Sequence, residues 1–180
     1  SFRRDVITGL RIPSDWGLEI GVHSEMYRNY ANNRLCQADI ADRYDHKHQA
    51  LSEDDDSTGL SRMSIDICKA LFRKLATRGV VISAESFRSL KASYYRIALD
   101  FVETYHNDAI MNGLEFDVQG EERAVELFAE NIIKAGEAFL DRPMERPFIP
   151  SWSRVSSALP DVLERLLTAV DEDMAEYGTG

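Results

Sequence analysis

PSDWGLEIGVHSEMYRNYANNRLCQADIADRYDHKHQ, residues 13–49, sets a turn, a helix, a strand and a histidine cluster in sequence. Asp15-Trp16-Gly17 reads as a turn, because a short Asp side chain bonds back to the backbone and Gly permits a tight bend. From Leu18 to Tyr30, Ile20, His23, Tyr27 and Tyr30 recur at spacings of three, four and three. That spacing predicts a helix with those four side chains inward. Asn32-Asn33 ends it. Over Leu35–Ala41, Cys36, Ala38 and Ile40 alternate with Gln37 and Asp39, the pattern of a half-buried strand. Asp45-His46-Lys47-His48 lies just past the strand's end, where site residues are often found.

Outward from this stretch the chain is helical. Residues 1–12 are short and basic and end at Pro13, which disfavours helix just before it. Residues 52–59 (SEDDDSTG) form a polar, acidic loop. A helix is predicted over Ser61–Arg78, with Ile65, Cys68, Phe72 and Leu75 inward and Arg73, Lys74 and Arg78 complementing its negative end. A longer one is predicted over Ala84–Met111, with Ser83 as N-cap, Asn112-Gly113 as stop and Phe87, Leu90, Tyr94, Ile97, Phe101 and Tyr105 inward. Glu121–Leu140 follows, with Val125, Phe128, Ile132, Ala135 and Phe139 inward. Pro143, Pro147 and Pro150 predict an extended arm, and a last helix carries Val162, Leu163, Leu166, Leu167 and Val170. The pattern divides as 1–60, the strand and site loop; 61–142, a helical region; and 143–180, an arm with a terminal helix.

A lone short strand would leave its backbone donors and acceptors unpaired on both edges. The expected fold class is therefore α+β, mostly helical, with one or two short strands completing a sheet supplied from elsewhere. The chain opens on Ser1 rather than Met, which agrees with its being part of something larger.

A net charge of −10 argues against a nucleic-acid coat or an anionic membrane surface as partner, since both require basic surface. No apolar run approaches the roughly 20 residues that span a bilayer. Cys36 and Cys68 cannot make a disulfide framework and read as reduced core residues of a cytoplasmic protein.

Three groups could carry chemistry. His46 and His48 point the same way if extended and, with Asp45, could ligate a divalent metal; the plain alternative is a solvated loop. Glu19 opens a helix, where it either complements the positive helix end or accepts hydroxyl hydrogen bonds from a sugar-sized ligand. In the second case Trp16 walls the pocket and Gly17 admits close approach. Asp54-Asp55-Asp56 has D-x-D spacing but sits in a polar loop with no buried strand to aim it, so a metal–diphosphate role is rejected. His23 reads as a core histidine, and His106 as a surface residue at a helix end.

PSDWGLEIG, LCQADIADRYDHKHQ and GLSRMSIDICKALFRKL, in that order, resemble the glucosyl-3-phosphoglycerate synthase family of retaining glycosyltransferases. The related mannosyl-3-phosphoglycerate synthases are a looser match. The resemblance covers residues 13–75. It implies a GT-A fold whose N-terminal nucleotide-binding half carries the D-x-D motif, with this chain as the C-terminal, acceptor-side half. It also implies that His46 completes a Mg²⁺ (or Mn²⁺) site and that Glu19 holds the donor sugar's hydroxyls. Trp16 and Gly17 would line that pocket, and His48 and Arg43 would face the phosphoglycerate acceptor. The implied partners are the N-terminal half, a nucleotide-sugar such as UDP-glucose, the acceptor, and a second copy in a homodimer. A non-catalytic helical interaction module is the alternative.

Overall fold

A computed structural model describes residues 3–30, 34–36, 38–39, 51–52, 55–145 and 149–178. In chain order the helices are α1 (Arg4–Ile7), α2 (Leu18–Asn29), α3 (Gly59–Ala76), α4 (Ala84–Asn112), α5 (Val118–Asp141), α6 (Trp152–Ala158) and α7 (Val162–Tyr177). The chain forms two compact units: residues 13–147 make one, and residues 1–12 with 148–180 make the other.

The larger unit is built on α3, α4 and α5. Phe72, Phe87, Ile132, Ala135 and Phe139 form its core, with Ile65, Cys68, Ile82, Tyr94 and Ile133 packed against it. Phe72 meets Phe87 and Phe139 with ring centroids 4.8 and 6.2 Å apart. Gly136 gives Phe87 its place, because a Cβ there would overlap the ring. Burial pushes the Cys68 thiol up to about 11, so it is an inert packing residue. Beside the core a polar cluster joins α3 to α5. Asn131, fully buried, donates to Ser61 Oγ (3.1 Å) and Ser64 Oγ (2.8 Å). Ser61 donates to Asp56 (2.9 Å), which also accepts from Lys134 (2.8 Å).

Chain punctuation set α4 as predicted. Ser83 and Ser86 form a reciprocal capping box, and Gly113 ends the helix at φ 65°. Its inward stripe is shorter than the periodicity implies. Phe87 is buried and Tyr94 half-buried, but Leu90, Ile97, Phe101 and Tyr105 are exposed. With Phe116 and Val125 they line an open apolar groove of about 530 Å³.

In the smaller unit Ile12 and Ile149 form an isolated antiparallel bridge, and Ser153 donates to the Thr8 carbonyl. Helix α7 lies where expected, yet Leu163, Leu166, Leu167 and Val170 are all exposed. Residues 143–145 turn rather than run extended.

The described residues contain no strand. Of the segment predicted to be one, Leu35, Cys36, Ala38 and Asp39 are irregular and exposed, so Cys36 is not a core residue. Alternation supplies a strand's faces but not its ladder, and among the described residues nothing pairs with this one.

Candidate active site

The Asp15–Glu19 turn is fixed by what packs beneath it. Pro13 is buried against Gly21, where a Cβ would collide with the proline ring. Asp15 Oδ1 accepts from the Gly17 N–H at 2.9 Å, closing the turn. Gly17 caps α2 with φ −78°, a conformation open to any residue. Its constraint is space: a Cβ there would overlap Ala70 Cβ of α3. The close approach that Gly17 permits is thus made by α3. Trp16 stands 45% exposed, and Glu19 is exposed in the first turn of α2, where it complements the helix's positive end.

Helix α2 presents a different face to α3 than its apolar spacing predicts. Gly21, Glu25 and Met26 are buried, whereas His23 and Tyr27 are exposed and Ile20 and Tyr30 are half-buried. His23 is therefore not a core histidine. Charge pairing explains the rotation. Glu25 is 3% exposed and accepts from buried Lys74 and, at 2.9 Å, from Arg28. Asp15 Oδ2 lies 3.8 Å from Arg73 Nη1, with side chains 2% and 9% exposed. Arg73 and Lys74 do more than complement the end of α3: they are buried partners of two carboxylates.

Asp66, Lys69 and Arg73 run along α3, each one residue after an apolar position, Ile65, Cys68 and Phe72. One residue is about 100° around a helix, so α3 offers an apolar face to α5 and a charged one alongside it. That stripe was the available signal for Asp15, Glu25, Arg73 and Lys74, which an apolar-only reading passes over.

Arg43, Asp45, His46 and His48 lie outside the described residues. Among the described residues no three His, Cys, Asp or Glu side chains gather to hold a metal. Asp56, from the rejected D-x-D run, is a structural clip; its bond from Lys134 holds its carboxyl below the usual range.

No family model and no solved structure matches the chain. Two curated relatives do. The chain is 40% identical over 176 residues to a glucosyl-3-phosphoglycerate synthase of Persephonella marina, covering 98% of the chain and 43% of that protein. It is 38% identical over 174 residues to a glucosyl-3-phosphoglycerate synthase of Methanococcoides burtonii, covering 96% of the chain and 42% of the relative. The chain therefore spans less than half the length of the relatives it matches. The likeness extends well beyond the motifs of residues 13–75 to both units, and over nearly all its length this chain is similar to two glucosyl-3-phosphoglycerate synthases.

Proposed function

We propose that this chain is the acceptor-side, C-terminal part of a retaining glucosyltransferase that moves glucose from a nucleotide-sugar to 3-phosphoglycerate. The observation that carries the reading is the 40% identity over 98% of the chain to a protein of that name. An N-terminal nucleotide-binding half of GT-A type completes the site.

Glu19, exposed on a braced turn, accepts hydrogen bonds from the donor sugar's hydroxyls and stabilises positive charge developing at C1. Trp16 walls that pocket, and His48 and Arg43 face the acceptor's phosphate and carboxylate. The acceptor hydroxyl oxygen bonds to C1 on the face the diphosphate leaves. The C1–O bond to the diphosphate breaks, and a diphosphate oxygen takes the hydroxyl proton. The products are glucosyl-3-phosphoglycerate and a nucleoside diphosphate, with anomeric configuration retained. Holding both substrates face to face removes much of the entropic barrier.

The described residues do not by themselves offer a metal-ligand set. His46 is proposed as one ligand of Mg²⁺ or Mn²⁺, the remainder coming from the D-x-D half. The ion would supply charge neutralisation at the departing diphosphate.

In the protein joined to its nucleotide-binding half, Glu19→Gln is expected to lower kcat about 10²–10³-fold, the range for losing a group that stabilises transition-state charge. His46→Ala should abolish metal-dependent transfer while the far-UV circular dichroism stays unchanged. Full activity in both variants would remove the two residues from the site.

One observation favours a second reading, a non-catalytic helical module that dimerises. Ile97, Phe101 and Tyr105 face outward along α4. Absence of transfer with every nucleotide-glucose, together with a stable dimer, would favour it.

A further inference from the structure

We propose that Arg73 and Asp15 are positioning residues that hold the Trp16–Glu19 turn in its working geometry. The inference rests on the reading of Glu19 as the sugar-binding group.

Asp15 divides its two oxygens. Oδ1 closes the turn on the Gly17 N–H, and Oδ2 faces the Arg73 guanidinium at 3.8 Å. Helix α3 therefore grips the turn twice, by contact through Ala70 beneath Gly17 and by charge through Arg73 one turn further on. Both charges are buried, yet the pairing is loose. Among the described residues, Asp15 Oδ2 and Arg73 Nε and Nη2 have no hydrogen-bond partner. A buried ion pair with unmade hydrogen bonds is a poor stabilising device, because desolvation offsets much of its attraction. Apolar side chains of similar volume would stabilise this position as well, so stability alone does not account for the pair. Orientation does: a fixed positive charge under Asp15 sets where Oδ1 points, and hence where Gly17 and the first turn of α2 begin. Glu19 follows directly on that turn, and Trp16 projects from its outer side.

The pair has two readouts, one of which is independent of catalysis. Trp16 and Trp152 are the chain's tryptophans. In a Trp152→Phe background, Arg73→Met should raise acrylamide quenching of Trp16 about two-fold, as expected when a residue leaves an ordered site for a mobile one. Arg73→Lys keeps the charge and should restore most of the shielding. In the protein joined to its nucleotide-binding half, Arg73→Met should lower kcat/KM for the sugar nucleotide about 10²-fold, the size of effect an ångström-scale misplacement produces. The KM for 3-phosphoglycerate should stay within about two-fold, since the proposed acceptor contacts are assigned to Arg43 and His48 and not to this turn. If Arg73→Met does not fold, Asp15→Asn, which keeps the acceptor oxygen but not the charge, carries the same expectations. Unchanged Trp16 quenching and unchanged kcat/KM would overturn the proposal. Equal losses towards both substrates would overturn it too, leaving a general structural role. Glu19→Gln separates the failures: activity unaffected by that change defeats the reading of Glu19, whatever Trp16 reports about the turn.

Discussion

Glu19 and Glu25 share a helix but not an environment, and the difference decides what each change costs. Glu19 is exposed, and Glu25 is 3% exposed between Lys74 and Arg28. Glu19→Ala should leave the unfolding free energy from urea melts within about 0.5 kcal/mol of the parent, as for surface substitutions generally, while activity falls. Lys74→Met leaves Glu25 buried with its inner partner gone. It should cost about 3–5 kcal/mol, the range for breaking a buried pair, read as a lowered urea midpoint. Gly17→Ala forces a methyl group into Ala70 and should cost about 1–3 kcal/mol by overpacking, seen as a lower Tm.

At the scale of elements, α3 carries the fold's argument with two faces set about one residue apart. Its apolar face makes the core with α5, and Phe72→Ala there should cost about 3–5 kcal/mol in denaturant melts. Its N-terminus is clipped by Asp56, whose folded carboxyl is held low by Lys134 and Ser61. A carboxyl depressed in the folded state stabilises above its ordinary value, near pH 4. That contribution fades as pH falls through the lower folded value. An acid titration should show it, and Asp56→Asn should remove it, lowering the Tm slightly at neutral pH and flattening the loss in acid. Helix positions and caps were legible in the sequence, because Ser83, Gly113 and the apolar spacing act locally. The inward faces of α2 and of the outer part of α4 were not. Period alone cannot tell an apolar residue with a neighbour from one without, and on α2 the buried face is chosen by Glu25 and two glycines. The alternation over 35–41 misled at Leu35, Cys36, Ala38 and Asp39, which are irregular, for the same reason: a strand's pattern is local, but its hydrogen-bond partners are not.

For the molecule as a whole, Trp16, Gly17 and Glu19 were legible as a turn with an exposed acid, and the structure adds the carboxylates and cations beneath it. Arg43, His46 and His48 lie outside the described residues, so their placement rests on the sequence. Apolar residues are exposed on α4 and α7, and the chain spans less than half the length of the relatives it matches. The most direct measurement is mass-spectrometric detection of product when the chain, joined to its nucleotide-binding half, is given a nucleotide-glucose, 3-phosphoglycerate and Mg²⁺. Glucosyl-3-phosphoglycerate is the expected product, formed about 10²–10³-fold more slowly in Glu19→Gln. No product with either UDP-glucose or GDP-glucose, from a folded protein, would contradict it.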